Sequence, residues 1–234
     1  AMQPRCNPET QVCGSAEPLF KLFRLSFLAF FTLYVVFWTA NARADESEGP
    51  HVLVLGDSLT AGYMLDPQDS FPAQLQDYLQ KEDVNIRVIN AGVSGDTSGG
   101  ALWRIDWALQ DIPGGSPNLA IIELGANDAM QGIPPQKVRE NLSAIIAKLK
   151  GTGARILLAG MLAPPNMGPD YAAEFDGMYA ELAAEHDVAL YPFFLEGVAT
   201  IAHLNLYDGK HPTGEGVGII VERIGPMVKK LLAE

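Results

Sequence analysis

His51-Val52-Leu53-Val54-Leu55-Gly56-Asp57-Ser58-Leu59 is the stretch on which the fold turns. Four aliphatic residues follow His51 without a polar break, and the run stops at a glycine. A short apolar run bounded by a turn signal predicts a strand buried on both faces, the kind found in parallel sheets. The polar pair Asp57-Ser58 then stands at the carboxyl end of that strand. Open α/β sheets bind their ligands at that edge.

The alternation continues downstream. Phe71–Lys81 predicts a helix with Phe71, Leu75, Tyr78 and Leu79 on one face, and Ile86–Asn90 a second strand. Thr97–Leu109 reads as a helix closed by Pro113-Gly114-Gly115, Leu119–Leu124 as strand three, and Pro135–Lys150 as a helix stopped by Gly151 and Gly153. Arg155–Ala159, Tyr171–His186 and Val188–Tyr191 continue as strand, helix and strand, and a last helix runs from Gly214 to Leu232. Five strands alternating with helices predict a parallel sheet covered on both faces, an α/β/α three-layer sandwich.

Composition bounds the function. The chain has 234 residues, 28 acidic against 16 basic side chains, and a formal net charge of −12. That balance excludes a duplex nucleic-acid binder, which needs a basic face to displace phosphate counterions. With 48% apolar and 19% charged residues the chain is expected to fold rather than remain disordered.

Residues 1–44 are set apart as an N-terminal extension and leader, leaving a single domain over 45–234. Lys21 and Arg24 precede the uncharged run Leu25–Trp38, and Ala42-Arg43-Ala44 follows as a small-x-small cleavage site. This is the layout of a secretory signal peptide, which predicts an exported protein, or a membrane-anchored one if the leader is retained. Both cysteines, Cys6 and Cys13, lie in that part. Residues 45–234 therefore have no thiol for catalysis, disulfides or metal binding.

Four polar blocks fall at predicted carboxyl ends: Gly56-Asp57-Ser58-Leu59, Asn90-Ala91-Gly92-Val93-Ser94-Gly95-Asp96, Gly125-Ala126-Asn127-Asp128, and Asp208-Gly209-Lys210-His211-Pro212 before the last helix. A serine hydroxyl needs an adjacent base to act as a nucleophile at neutral pH. His211 lies in a Gly- and Pro-bounded loop that can aim its ring outward. Asp208, three residues earlier, can accept from Nδ1–H and leave Nε2 to take the Ser58 proton. For the oxyanion of a tetrahedral intermediate the candidate donors are the Ser58 N–H, the Gly92 N–H and the Asn127 side-chain amide. Asp57, Asp96 and Asp128 are expected to hold loop backbone, and His51, His186 and His203 to stay outside the chemistry. Trp103 and Trp107, four apart on one helix, are expected to pack into the core. Asp208 and His211 have no third His or Cys placed to complete a metal site.

These blocks resemble the SGNH (GDSL) hydrolase family. Ser58, Gly92, Asn127 and His211 match its four named residues, and Asp208 its Asp-x-x-His. VLVLGDSLTAGY, INAGVSGDTS, ELGANDA, YPFFLEGV and DGKHP bring the chain nearest to the thioesterase/lysophospholipase/arylesterase branch, over about residues 50–232. The resemblance implies a flavodoxin-like sheet, no cofactor, and hydrolysis of small-molecule acyl esters and thioesters through an acyl-enzyme. It implies that Ala129–Pro135 borders the acyl pocket, with Met130 and Ile133 lining it. The stretch Trp103–Asn118 is longer than in the thioesterase type and similar to arylesterases. A monomer is expected, with no nucleic acid partner and no stable membrane insertion after cleavage. A carbohydrate O-acetylesterase and a non-catalytic ligand-binding domain of flavodoxin-like shape remain alternatives at this point.

Overall fold

The computed structural model describes residues 49–234. The leader and the boundary expected at Ala44 lie outside the described residues. Five parallel strands form one sheet: β1 (His51–Gly56), β2 (Arg87–Gly92), β3 (Leu119–Glu123), β4 (Arg155–Ala159) and β5 (Ala189–Tyr191). Their spatial order is β2-β1-β3-β4-β5, the flavodoxin-like arrangement. β1 and β3 are buried along their whole length, and β4 beyond Arg155. Covering both faces explains why these strands read as unbroken apolar runs, while the edge strand β2 is only partly covered.

Seven helices are described: α1 (Ser58–Ala61), α2 (Phe71–Lys81), α3 (Ser98–Gln110), α4 (Ala126–Met130), α5 (Pro135–Lys150), α6 (Pro169–His186) and α7 (Gly214–Ala233). α2 packs on α7, and α5 packs between α3 and α6. The bounds follow the sequence pattern closely, and those of α5 and β4 coincide with it. α1 and α4 have four and five residues, too few to display a 3.6-residue period. Both begin immediately beyond a central strand, and both carry site residues.

The two tryptophans of α3 do not enter the core. Trp103 and Trp107 are 73% and 59% exposed and meet only edge to face, with ring centroids 4.8 Å apart. The buried stripe of α3 is Ala101, Ile105 and Ala108. At 3.6 residues per turn, positions 103 and 107 fall on the opposite side of that helix.

Candidate active site

The site lies where β1, β2 and β3 end and where the chain enters α7. The β1–β3 register pairs Gly56 with Glu123, and the β1–β2 register pairs it with Gly92, so the three turns emerge side by side. Ser58 is the first residue of α1. Asp57 caps that helix, its Oδ1 accepting from the Leu59 N–H at 2.9 Å.

His211 arrives from a tight loop held by its own backbone. The Leu206 N–H donates to the His211 carbonyl at 2.7 Å, and Asn205 bridges Pro212. Asp208 Oδ1 accepts the Lys210 and His211 N–H groups at 2.9 and 3.1 Å. This local turn fixes the carboxylate and frees Oδ2, which lies 2.6 Å from His211 Nδ1. His211 Nε2 is 2.9 Å from Ser58 Oγ, across a separation of 153 residues. With Nδ1–H donating to Asp208, Nε2 carries the lone pair and can accept the Ser58 proton. The Tyr63 ring lies 4.5 Å from the His211 ring and covers it.

Burial pushes the Asp208 carboxyl up, but hydrogen bonds from the His211 ring and the two N–H groups outweigh it and bring it down to about 2. A carboxyl depressed in this way favours folding above its ordinary value of 3.8, and that contribution is lost as pH falls toward 2. Asp208 therefore stays ionised wherever a neutral imidazole can act as base.

Asn127, the second residue of α4, crosses between two turns. Its Nδ2 donates to Asp57 Oδ2 at 2.9 Å and to the Asp96 carbonyl at 2.8 Å. Asp96 pairs with Arg104 Nε at 2.6 Å, and Arg104 also donates to the Gly56 carbonyl. Asp128 accepts the Ser98 N–H and hydroxyl at 2.8 and 2.6 Å, which pins α4 to the start of α3. These three aspartates hold loops, as the sequence suggested.

Gly92, expected as an oxyanion donor, has its N–H engaged at rest. Its N–H donates to Asn90 Oδ1 at 2.9 Å. A Cβ there would lie 2.6 Å from the Ala61 nitrogen, so glycine is required for α1 to pack on β2. Gly95, three residues on, has φ +83° and open space where a Cβ would stand. Its N–H and that of Ser58 form no hydrogen bond within the described residues. Gly95 stands one residue before Asp96, whose carbonyl accepts from Asn127 Nδ2. A left-handed glycine in an exposed turn was the available signal, and it is shared by many ordinary turns.

Met130 is half-exposed, with Sδ 3.8 Å from Lys210 Nζ, and so it reaches the loop that carries His211. Ile133 is partly buried against the core, and its carbonyl accepts the Tyr171 hydroxyl at 2.8 Å. His51 and His186 lie apart from Ser58, Asp208 and His211. His51 is buried at the start of β1, and His186 Nε2 meets Ser143 Oγ at 2.7 Å. His203 is exposed. Among the described residues no group of three or more His, Cys, Asp or Glu is arranged to hold a metal ion.

Asp57 is fully buried, and burial lifts its carboxyl from 3.8 to about 6 despite the opposing Leu59 N–H and the charge of His211. The folded state then holds a proton that the unfolded chain has already lost. The Asp57 contribution to stability is full below about pH 4 and is lost as pH rises through about 6. In Asp57→Asn this titration is gone. Its thermal stability relative to the parent should climb between those two pH values by the equivalent of roughly 2–3 kcal/mol. Parallel Tm curves for the two proteins across that range would contradict the assignment.

Known proteins resemble this chain over most of its length. The model of the GDSL-like Lipase/Acylhydrolase family matches residues 54–219. The chain is 40% identical over 200 residues to Esterase TesA of Pseudomonas aeruginosa, covering 86% of this chain and 96% of that one. Over the same length it is 34% identical to Thioesterase 1/protease 1/lysophospholipase L1 of Escherichia coli K12, covering 86% and 91%. Among solved structures, AlinE4, an SGNH-hydrolase family esterase, superposes with a TM-score of 0.67 at 46% identity, covering 80% of this chain and 98% of that one. From the matched span and these relatives, the chain belongs to the GDSL-like lipase/acylhydrolase family and is an esterase.

Proposed function

We propose that Ser58, His211 and Asp208 form the catalytic triad and that the acyl group passes through a Ser58 ester. The observation that carries this reading is the continuous chain from Ser58 Oγ to His211 Nε2 (2.9 Å) and from His211 Nδ1 to Asp208 (2.6 Å). Ser58 Oγ attacks the carbonyl carbon while its proton moves to Nε2. The imidazolium returns that proton to the leaving alcohol or thiol. Water, deprotonated by the same nitrogen, then releases the acid. The Ser58 and Gly95 N–H groups, with Asn127 Nδ2, are assigned to the oxyanion, Gly95 taking the place expected of Gly92.

Both Asn127 amide hydrogens have protein acceptors at rest, so the oxyanion takes Nδ2 in exchange for one of them. Asn127→Ala is expected to lower kcat by ~10²–10³ with KM little changed. A loss below about fivefold, against that expectation, would remove Asn127 from the hole.

The substrate class assigned is esters and thioesters with an apolar acyl chain, including single-chain phospholipids. The turns beyond β1, β2, β3 and β4, and the loop before α7, expose Tyr63, Met64, Val93, Met130, Leu162 and Tyr207. Apolar groups around the mouth of a site favour an alkyl chain over a sugar. Met130 and Ile133 are assigned to the acyl side. The leader reading adds export across the cytoplasmic membrane and hence substrates outside the cytosol. The deciding experiment is hydrolysis of p-nitrophenyl esters from acetyl to palmitoyl, with Ser58→Ala in parallel. A chain-length optimum beyond acetyl is expected. Turnover of acetylated sugars alone would move the assignment to a carbohydrate esterase.

A further inference from the structure

Glu123 takes no part in the chemistry described so far, yet it lies directly behind it. It ends β3 opposite Gly56, is fully buried, and neither carboxyl oxygen has a hydrogen-bond partner. A carboxylate taken out of water with no donor at hydrogen-bond geometry, the facing Asp57 N–H falling short of it, costs several kcal/mol, so a group in this position keeps its proton. The titratable groups around it come from two directions. Asp57 faces it from the turn after β1, and Tyr179 from α6, where the hydroxyl donates to the Leu124 carbonyl at 2.9 Å. His211, Asp96 and Asp128 act on Asp57 in turn.

Asp57 has a different environment. Both of its oxygens accept hydrogen bonds, one from the Leu59 N–H and one from Asn127 Nδ2. A proton on Asp57 would turn an acceptor oxygen into a donor and weaken the contact it accepts. A second anion at Glu123 would favour that proton on Asp57, because two buried carboxylates that feel each other's charge do not readily both ionise.

We propose that Glu123 is a positioning residue of the esterase site: by holding its own proton behind the Asp57–Ser58 turn, it leaves Asp57 as the one anion of the pair and keeps Asn127 aimed. The inference rests on the oxyanion role of Asn127 assigned above. The electrostatics agree in direction. Burial drives the Glu123 carboxyl well above the ordinary range and the Asp57 charge adds to this, with the facing Asp57 N–H opposing. Asp57, at about 6, is ionised at neutral pH.

The test has a spectroscopic and a kinetic arm, both on the whole chain. An infrared difference spectrum between the parent and Glu123→Gln at neutral pH should show the carbonyl stretch of a protonated carboxylic acid in the parent alone. Absence of that band means an ionised Glu123 and overturns the proposal. In the kinetic arm, Glu123→Ala leaves a space beside Asp57 and should lower kcat by about tenfold or more, with KM within about twofold, as for a displaced catalytic group. Glu123→Gln, neutral and of the same shape, should recover most of that loss. A Gln variant as slow as Ala would show that the acid itself is needed, and an Ala variant as fast as the parent would show that nothing is positioned. Either overturns the inference. If Ala does not fold, the infrared band and the kcat of Gln against the parent still decide it, a Gln loss above about tenfold sinking it. Ser58 dependence is measured separately. A parent whose activity vanishes in Ser58→Ala keeps the triad reading even where the Glu123 variants fail the test.

Discussion

Ser58→Ala should reduce kcat on a p-nitrophenyl ester by roughly 10⁴–10⁶-fold while leaving Tm within a few degrees of the parent. The size of the loss follows from the triad acting as a unit: without the nucleophile, His211 and Asp208 have no proton to move, and only binding and oxyanion contacts remain. Stability should survive because the one side-chain hydrogen bond of Ser58 goes to His211. The cap of α1 belongs to Asp57, and the β1 core behind it is untouched. Burst kinetics give an independent check, since the parent should release nitrophenol faster than it turns over wherever deacylation is slow. A variant retaining more than about a hundredth of the parent rate would mean that another group carries the acyl transfer.

Asp208→Asn should cost about 10³–10⁴ in kcat with KM nearly unchanged. The loop itself should hold, because Asn can still accept the Lys210 and His211 N–H groups through Oδ1. What changes is the atom facing His211 Nδ1 at 2.6 Å, where an amide nitrogen offers a donor in place of an acceptor. Nδ1 must then accept, the ring proton moves to Nε2, and the nitrogen next to Ser58 Oγ can no longer take a proton. A negative charge that would have met the imidazolium is lost as well. Because Asp208 is ionised down to about pH 2, the parent should show no acid limb from this residue. A drop smaller than about tenfold in kcat would detach Asp208 from the mechanism.

Both predictions concern residues that the sequence itself singles out, and the short range of its signals explains where expectation and structure differ. Ser58 and Asp208-x-x-His211 stand at strand ends or in short loops, where position along the chain fixes position in the fold. Gly92 was expected in the oxyanion hole, whereas its N–H is taken by Asn90 and its missing side chain makes room for α1. Two glycines three residues apart in one turn differ only in where their N–H groups point, and no local pattern encodes that. Trp103 and Trp107 were expected inside, but their shared face was not the face of Ala101, Ile105 and Ala108. Glu123 reads as the polar end of an apolar strand, and nothing in LAIIEL announces a carboxyl group sealed from water.

By itself, then, the sequence determined the alternation of strands and helices and the polar residues that end them, because hydrophobic periodicity and turn residues act over a few neighbours. With the strands parallel, it also determined that those residues meet at one edge. Tertiary structure alone decided which N–H groups remain unpaired, which aromatic face meets water, and which buried acid lies behind the nucleophile. Each of these depends on atoms brought together from turns tens of residues apart. Ser58 and His211 are 153 residues apart in the chain, and only the packed sheet brings their side chains to 2.9 Å.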